Sequence, residues 1–382
     1  MKIVGIICEY NPFHLGHMRQ IQMVRDKYGT DTAIICVMSG NYVQRGMPAM
    51  WDKFTRAKAA VGCGIDLVLE LPITKVLQSA EGFARGGVEL LSKLGCVEVL
   101  SFGAECGSAD NLMALAKKFD EPEHEIAFQS YLAEGLPYAA AKQLAIGDTQ
   151  QLLSHPNNIL GVEYCRAILH YNSNLQPFAV QRSGSYHATQ PDVDEPSATF
   201  VRSVFPDGQW KKYVPSQAHS FMEKAPWYDS KYGERAVLAR LRALSDMQWE
   251  QCAHGSEGLW SKAMKESRTQ HTLENLIDAI KSKRYPRTRI QRLLLCAYLG
   301  ISCEDLNSSI TYARILAFSQ VGRKLIRKIK EIGELPLINP GETPDDQYYY
   351  RLETRASDLF TLFCASESFP CQMEQSSRLS ID

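Results

Sequence analysis

Residues 3–19 read IVGIICEYNPFHLGHMR, and this stretch decides the fold. Its first six residues are a short apolar run, which is typical of a strand buried inside a parallel sheet. Asn11-Pro12 then ends the strand, Gly16 permits a close backbone approach, and the apolar spacing that follows is helical. The pattern predicts a strand, a tight turn and a helix, the arrangement at which open α/β sheets bind ligands.

Two histidines stand at the start of that predicted helix. His14 and His17 are three residues apart, so both imidazoles can face one ligand. A helix N-terminus presents unpaired N–H groups and a positive dipole end, which favour phosphate. An HxxH pair can also arise by chance on one face of a helix, or it can be a pair of metal ligands. A zinc site needs further ligands at workable spacing, however, and none stands nearby. The context therefore favours phosphate binding.

Strand and helix patterns alternate as far as about residue 205. Further strands are predicted over residues 32–38, 66–71, 98–102 and 176–181, and helices over 52–61, 78–94, 110–119, 123–134 and 158–171. Such alternation predicts a Rossmann-like parallel-sheet domain over residues 1–205. The loop over residues 39–50 follows a strand, so it is expected at the ligand end of the sheet. Gly103, at the end of another strand, would let a base or ribose approach the backbone.

Beyond residue 205 the pattern becomes mostly helical, which predicts a second domain over residues 206–382. The predicted helices cover residues 235–244, 273–281, 288–299, 312–318 and 323–332, and the segments at 206–208, 215–226 and 335–344 are predicted to be linkers or loops. The chain is long enough for two such domains, each with its own core.

Basic residues concentrate in this second predicted domain. The net charge of the whole chain is −1, yet residues 281–330 contain 12 Lys or Arg against 2 Asp or Glu. A local excess of this kind indicates an anionic partner, here a nucleic acid. The residues predicted to contact it are Lys281, Lys283, Arg284, Tyr285, Arg287, Arg289, Arg292, Lys324, Arg327 and Lys328. The cations would neutralise phosphates and the tyrosine would stack on a base. A solvated helix face is the alternative interpretation.

The HxGH tetrad at residues 14–17 resembles the signature of nucleotidyltransferases and class I aminoacyl-tRNA synthetases. The longer string EYNPFHLGH at residues 9–17 resembles one branch of that superfamily, the bacterial tRNA(Met) cytidine acetate ligases. Four further strings agree with this family: MSGNYVQRG (38–46), DLVLELP (66–72), SFGAE (101–105) and PNNILG (156–161). The resemblance covers essentially the whole chain and is most specific up to about residue 205.

The resemblance implies an ATP site with His14 and His17 as its catalytic residues. The nucleotide would also be bound by Ile7, Glu9, Tyr10, Asn11, Pro12, Phe13, Gly16, Gln20, Gly103, Asn157, Asn158 and Arg182. Residues 197–202, SATFVR, resemble the second signature of the superfamily, whose arginine contacts the β- and γ-phosphates. This adds Ser197, Thr199 and Arg202, with a plain helix cap as the alternative for the first two. Mg²⁺ would accompany the ATP phosphates, and no dedicated protein metal site is predicted.

The reaction that the resemblance implies has two steps. Acetate attacks the α-phosphate of ATP and gives acetyl-adenylate and pyrophosphate. The N4 amine of the wobble cytidine, at position 34 of elongator tRNA(Met), then takes the acetyl group and becomes N4-acetylcytidine. Acetate and elongator tRNA(Met) are therefore the substrates expected besides ATP. Acetate is implied by the resemblance alone, because no residue pattern identifies it.

Three other functions fit part of the sequence. A small-molecule adenylyl- or cytidylyltransferase would carry the same two signatures, but the basic helical domain argues against it. A class I synthetase relative should have a KMSKS loop after the sheet, and residues 281–283 are a poor substitute. A non-catalytic RNA-binding protein with a vestigial nucleotide site would release no pyrophosphate. Pyrophosphate release therefore separates that possibility from the enzymes.

Composition adds the expected compartment. The 11 cysteines are scattered without a CxxC pair, unlike the pattern of a zinc ribbon or a secreted disulfide framework. No apolar run approaches the length of a membrane span. The sequence therefore predicts a cytoplasmic protein with reduced, mostly buried thiols and no membrane association, and it gives no indication of a protein partner.

Overall fold

The structure, a computed structural model, describes residues 1–119, 121–136, 138–148, 151–182, 196–205, 207–366 and 371–377. Pro206, at the predicted domain boundary, lies outside these ranges. Within them the strands are β1 (Ile3–Cys8), β2 (Ala33–Ser39), β3 (Tyr42–Val43), β4 (Met47–Pro48), β5 (Leu67–Leu71), β6 (Val99–Ala104), β7 (Gln176–Gln181), β8 (Ala313–Phe318) and β9 (Leu337–Ile338).

Helices surround these strands. They are α1 (Leu15–Tyr28), α2 (Lys53–Gly62), α3 (Ile73–Val76), α4 (Ala80–Lys93), α5 (Ala109–Lys118), α6 (Pro122–Ala133), α7 (Tyr138–Ala145), α8 (Pro156–His170), α9 (Ala198–Ser203), α10 (Ser216–Lys224), α11 (Ser230–Ala243), α12 (Asp246–Gln251), α13 (Leu259–Ser267), α14 (Leu273–Ile280), α15 (Arg287–Leu299), α16 (Cys303–Leu306), α17 (Gln320–Ile332), α18 (Gln347–Phe360) and α19 (Met373–Ser376). Short 3-10 helices cover Leu152–Ser154, Gln209–Tyr213 and Thr361–Phe363.

A seven-stranded sheet in the order β7-β6-β1-β2-β5-β8-β9 forms the centre of the molecule. Its first five strands are parallel to one another. Every residue of β1 and β2 is buried, as expected for parallel strands covered by helices on both faces. The predicted Rossmann-like sheet followed by a mostly helical region is confirmed.

Two predictions in the second half of the chain are wrong. Residues 312–318 were expected to be helical, yet Ala313–Phe318 is strand β8, which pairs antiparallel with β5. A short, mostly apolar run such as ARILAF has the same appearance in a buried strand and in a buried helix. Residues 215–226 were expected to be a linker, yet Ser216–Lys224 is helix α10, whose flanking prolines mark its ends. β8 and β9, which come from the second predicted domain, belong to the same sheet as the strands of the first. The domain division at 205/206 stays a prediction.

A buried ion-pair cluster joins distant parts of the chain. Lys53, at the start of α2, bonds Glu70 of β5 at 2.7 Å and Glu374 of α19 at 2.5 Å. Arg314 of β8 lies 3.1 Å from a Glu70 oxygen and 2.8 Å from a Glu374 oxygen. None of the four side chains is more than 5% exposed. Two cations and two carboxylates therefore balance one another inside the core, which is what makes their burial tolerable.

The compositional expectations can be compared with the same residues. In the described part of the chain, no helix is long and apolar enough to cross a lipid bilayer. All 11 cysteines lie in that part as free thiols, and eight of them are buried. The expected burial of most thiols is therefore observed, and their reduced state stays a prediction.

Candidate active site

A cavity of about 670 Å³ opens at the carboxyl edge of the parallel strands. The chain leaves β1 toward β2 on one side and later returns to β6 on the other, so the cavity lies at the point where the strand order reverses. Ten of the predicted nucleotide-site residues line it: Ile7, Glu9, Tyr10, Asn11, Gly16, His17, Gln20, Gly103, Asn157 and Arg182. Its volume is in the range of small-molecule sites.

Several helices direct their N-terminal ends at this cavity. The lining includes residues from the first turns of α1, α4, α8 and α15, among them Gly16, Ala80, Asn157 and Thr288. Each first turn carries N–H groups without a partner in its own helix and the positive end of a helix dipole. At α8 the N–H groups of Asn157 and Asn158 already donate to the Glu105 carboxylate. The other three ends around one space favour a ligand with several negative charges.

His14 and His17 form a stacked pair at the start of α1. Their ring centroids are 3.7 Å apart and the rings are inclined by 23°. The backbone N–H of His14 donates to Nδ1 of His17 at 3.2 Å. This bond assigns the remaining ring proton of His17 to Nε2. His17 is half-buried in the cavity wall, and His14 lies behind it at 2% exposure. His17 is therefore placed to donate into the cavity.

Both histidines are neutral at physiological pH. Burial, followed by the charges of Arg182 and Arg202, lowers the pKa of His14 to about 3. Burial, followed by His14 and Arg182, lowers the pKa of His17 well below its ordinary value. Neutral imidazoles can each donate one hydrogen bond without adding a buried charge. A bound polyanion would offset the repulsion from the two arginines.

The residues between β1 and the histidines hold the pair in place. The Tyr10 ring lies edge-on to His17, with centroids 4.8 Å apart, and contacts Phe13 at the same distance. Phe13 is fully buried, and Asn11 accepts a hydrogen bond from the Met50 N–H at 2.8 Å. Pro12 and Phe13, which were predicted to bind the nucleotide, do not line the cavity. The Phe13 ring instead packs against His17, with centroids 5.5 Å apart, and so supports the histidine pair.

Arg202 and Arg182 approach the histidines from two sides. Arg202 donates from Nη1 to the Asn11 carbonyl at 2.5 Å and from Nη2 to the Thr199 hydroxyl at 3.1 Å. The Arg182 side chain lies over Gly103, where an added Cβ would be 2.9 Å from its Cδ. The missing side chain of Gly103 therefore makes room for this arginine at the cavity wall. The two guanidinium groups place positive charge beside the histidine pair.

The predicted residues at the starts of α8 and α9 have identifiable partners. Asn157 donates from Nδ2 to Glu105 at 2.8 Å, and the Asn158 N–H donates to the same carboxylate at 2.9 Å. Asn158 is 1% exposed and accepts from the Cys106 N–H, so it does not line the cavity, whereas Asn157 does. The Ser197 hydroxyl accepts from the Phe200 N–H at 3.1 Å and caps α9. Glu105 was not predicted as a site residue, although it positions both asparagines.

Comparison with known proteins identifies the family. The family model described as HIGH Nucleotidyl Transferase matches residues 1–375. The tRNA(Met) cytidine acetate ligase of Clostridium novyi is 34% identical over 366 residues, which cover 88% of this chain and 89% of that protein. This chain belongs to the tRNA(Met) cytidine acetate ligase family. The prediction made from residues 9–17 is confirmed, and the chain is a ligase-family enzyme rather than a non-catalytic RNA-binding protein.

Other members of the ligase family match over nearly the full length. The Alkaliphilus metalliredigens tRNA(Met) cytidine acetate ligase is 32% identical over 408 residues, which cover 97% of this chain and 96% of that protein. The apo structure of Thermotoga maritima TmcAL matches with a TM-score of 0.91, and its complex with alpha-thio ATP with a TM-score of 0.89. Both are 26% identical and cover 100% of each chain. The latter structure holds an ATP analogue on this fold.

One cavity residue of this ligase-family member was assigned to the wrong environment from sequence. Arg292 was predicted to contact nucleic acid at the surface, but it is 8% exposed and lines the cavity together with Thr288. Burial lowers the pKa of its guanidinium. Gln44 and Arg45, in the turn between β3 and β4, line the cavity, as expected for the loop over residues 39–50, although neither was predicted as a site residue. Arg19 of α1 also lines the cavity and was not predicted. No sequence signal marks Arg19, since the direction in which a helix face points depends on packing.

The rest of the first predicted basic patch lies at the surface and is partly paired. Arg287 lies 2.5 Å from Glu274 and 3.4 Å from Asp278. Arg289 and Arg284 lie 2.8 Å and 3.7 Å from the carboxylate of Glu257. The Tyr285 hydroxyl donates to the Glu257 carbonyl, whereas Lys281 and Lys283 are exposed. Thr288 of this segment lines the cavity, so the patch borders it.

The second predicted basic group is at the other end of the sheet. Lys324, Arg327 and Lys328 are exposed on α17. An added Cβ at Gly322 in this helix would meet the carbonyl of Asp66, which immediately precedes β5. The helix therefore lies at the amino edge of the parallel strands, and the cavity is at their carboxyl edge. The structure does not bring the two predicted basic groups together.

Proposed function

We propose that this chain is an ATP-dependent ligase that joins acetate to N4 of cytidine 34 in elongator tRNA(Met). The substrates follow from the names of its relatives and from the resemblance of residues 9–17. The observation that supports the chemistry most strongly is the stacked His14–His17 pair at a helix N-terminus, with Arg182 and Arg202 beside it. Preorganised donors of this kind suit a phosphate whose charge shifts during the reaction.

The first step activates acetate. An acetate oxygen attacks the α-phosphorus of ATP, a new P–O bond forms, the bond to the β-phosphate breaks, and pyrophosphate leaves. The Nε2–H of His17 donates to the phosphate oxygens, and His14 holds His17 in place by stacking. Arg202 binds the leaving pyrophosphate, because a guanidinium matches phosphate geometry. The enzyme forms no covalent bond with the substrates, so its contribution is positioning and electrostatic stabilisation.

The second step transfers the acetyl group. The N4 amine of the cytidine attacks the acetyl carbon, the bond to AMP breaks, and the nitrogen loses one proton. This amine is a weak nucleophile, so the base must be unstacked and held close to the adenylate. The basic segment at residues 281–289 borders the cavity through Thr288 and has two exposed lysines, Lys281 and Lys283. We assign the RNA backbone to this segment, with α17 too far from the cavity to hold the reacting base.

Magnesium would enter this site with the ATP phosphates. Among the residues that the structure describes, no group of three or more His, Cys, Asp or Glu side chains is arranged to hold a metal ion. Among the described residues that line the cavity, Glu9 is the one with a carboxylate. It accepts a hydrogen bond from the Gln44 N–H at 2.7 Å. Mg²⁺ is commonly held by substrate phosphates with one or two carboxylates and water. Glu9 is therefore the residue that would supply a protein ligand, and the ion would neutralise phosphate charge.

The proposal is tested by incubating the purified protein with ATP, labelled acetate and bulk tRNA, followed by nucleoside analysis. We expect labelled N4-acetylcytidine that requires both ATP and acetate and is found in elongator tRNA(Met). Pyrophosphate release with an adenylated or cytidylylated small molecule, and no acetylated nucleoside, would contradict the proposal. That result would support the alternative small-molecule transferase.

A further inference from the structure

Arg292 lines the cavity without a hydrogen bond or ion pair to its side chain from any residue that the structure describes. It is more than nine-tenths buried, and no described residue accepts a hydrogen bond from its Nε. Within the described ranges no carboxylate forms an ion pair with it. Its pKa is lowered by burial in the first place, and a nearby carboxylate is not among the groups that act on it. A buried, uncompensated guanidinium is costly unless an anion arrives to pair with it.

The position of Arg292 is fixed by the backbone around it. Gly46, in the turn between β3 and β4, has a φ of 78°, and an added Cβ there would lie 2.6 Å from the Arg292 backbone nitrogen. Gln44 of the same turn donates to the Gln78 carbonyl at 2.9 Å, just before α4. The turn therefore links α15 to the start of α4. Arg292 enters the cavity from the β2 side.

The expected nucleotide residues lie on the other side. Gly103 and Arg182 are at the carboxyl ends of β6 and β7, and Asn157 begins α8 beside them. The sheet order places β1, with His17 beyond it, between these strands and β2. The cavity thus has a nucleotide side, a histidine pair in the middle, and a second side that Arg292 enters. Ala80 and Phe83 of α4 add apolar lining to the cavity.

We propose that Arg292 binds the carboxylate of the acid that the enzyme activates, with Thr288 at the same wall of the cavity. This assignment rests on the proposed function and adds a residue for its second substrate. A guanidinium offers two parallel N–H groups, which match a carboxylate, and the adjacent apolar lining suits a methyl group. One carboxylate oxygen pairs with Arg292 while the other attacks the α-phosphorus held at His17. Arg292 is then the residue that orients the nucleophile.

Two other anions deserve comparison. The triphosphate already has Arg202, Arg182 and the two histidines on or near the nucleotide side. An RNA phosphate would have to reach a side chain that is 8% exposed, whereas exposed lysines are available at the rim. A small carboxylate that enters the cavity with ATP fits the burial of Arg292 better than either. These alternatives predict different kinetic constants, so one set of variants separates them.

The test uses R292Q and R292K, with R242Q as the matched control. Arg242 belongs to α11 and donates to the carbonyls of Ser267 and Gln270, away from the cavity. Acetate-dependent exchange of labelled pyrophosphate into ATP, without tRNA, gives the KM values for acetate and ATP. For R292Q we expect the acetate KM to rise by about tenfold or more, because a hydrogen bond to a charged group is removed. The ATP KM should stay within about twofold, and R292K should recover part of the acetate affinity.

A second assay supplies the enzyme with acetyl-adenylate and tRNA and measures acetyl transfer alone. R292Q should transfer the acetyl group to tRNA at a near wild-type rate, because the step that needs the free carboxylate is bypassed. R292Q should also unfold at the wild-type temperature or above, since the substitution removes an unpaired buried charge.

A raised ATP KM would assign Arg292 to the phosphates, and a failure to transfer from acetyl-adenylate would assign it to tRNA or to the transfer step. Either result, or an unchanged acetate KM, would overturn the proposal. A wild-type enzyme without acetate-dependent exchange would instead overturn the proposed function itself.

Discussion

Two groups of buried cations in this molecule have opposite surroundings. In the core, Lys53 and Arg314 each lie within 3.1 Å of the carboxylates of Glu70 and Glu374. At the cavity, Arg292 is buried to a similar degree without an ion pair among the described residues. Burial therefore does not distinguish a structural cation from a binding one. The partners that the protein supplies do. Lys53 and Arg314 have carboxylates, and the equally buried Arg56 donates to the backbone carbonyls of Trp51 and Ser39. A buried cation with neither kind of partner needs a ligand to compensate its charge.

The largest effect is expected from breaking the core cluster. Lys53→Met should lower the free energy of unfolding by about 3 kcal/mol or more, because it leaves two buried carboxylates with one cation. Chemical denaturation monitored by circular dichroism measures the change. Arg292→Met is the matched control, a buried cation that lacks a carboxylate, and it should cost far less. Equal losses of stability for the two variants would show that their surroundings are not energetically different.

The next effect concerns the histidine pair. His17→Ala should reduce the acetate-dependent exchange rate by about 10²–10³-fold, the usual cost of removing one preorganised donor. The fold should persist, since His17 is half-buried at a cavity wall and its removal opens no core void. Exchange kinetics and a thermal unfolding curve measure both properties. A rate that stays within about threefold of wild type would remove His17 from the catalytic residues.

Arg202→Ala should have an intermediate effect on ATP use. Removal of one charge-assisted hydrogen bond to phosphate corresponds to about 1.5–3 kcal/mol, and it should appear in kcat/KM for ATP. The KM for tRNA should change less, because Arg202 bonds Asn11 and Thr199 beside the histidines rather than the basic segment. Normal ATP kinetics combined with weakened tRNA binding would mean that the wrong ligand has been assigned.

The two basic groups provide a smaller contrast. Replacing Lys281 and Lys283 with Ala should weaken tRNA binding, and the slope of log affinity against log salt should shrink by about 0.7–0.9 for each RNA phosphate that is no longer neutralised. Replacing Lys324, Arg327 and Lys328 should affect acetyl transfer less, because α17 lies at the opposite edge of the sheet. Exchange without tRNA should be normal in both variants. A larger transfer defect in the α17 variant would reverse this assignment.

The smallest expected effect is that of pH on kcat/KM for ATP, which should be nearly constant around neutrality. Burial, with Arg182 and Arg202, holds the pKa of His14 at about 3 in the fold, below about 6.5 in an unfolded chain. Its contribution to stability is present above pH 6.5 and is lost as the pH falls toward 3, where the unfolded state binds the extra proton. We therefore expect kcat/KM for ATP to vary less than about twofold between about pH 6 and 7.5. An inflection near pH 6.5 that disappears in His14→Gln would indicate a charged imidazole.

How far the sequence predicts this molecule depends on whether the information is local. The run at residues 3–8 and the strand at Gln176–Gln181 were predictable because apolar period and flanking turn residues determine both. The strand Ala313–Phe318 was not, because its identity follows from pairing with β5, more than two hundred residues away. Long-range pairing of this kind leaves no periodic signal in a six-residue segment.

The site divides in the same way. His14, His17 and most residues of the first loop could be predicted because the signature is contiguous. Arg292 could not, because an arginine is equally common on a helix surface and on a cavity wall. The close approach of the Gly46 turn to the Arg292 backbone is a tertiary contact that no local pattern predicts. Charge runs predict where cations are, and packing determines what they can bind.

In the function proposed above, this cavity activates acetate with ATP. This activation is tested most directly by exchange of labelled pyrophosphate into ATP by the purified wild-type enzyme, without tRNA, with and without acetate. We expect exchange that requires acetate, saturates with acetate concentration and is nearly abolished by His17→Ala. Exchange that proceeds equally without acetate, or that is unaffected by His17→Ala, would contradict the account.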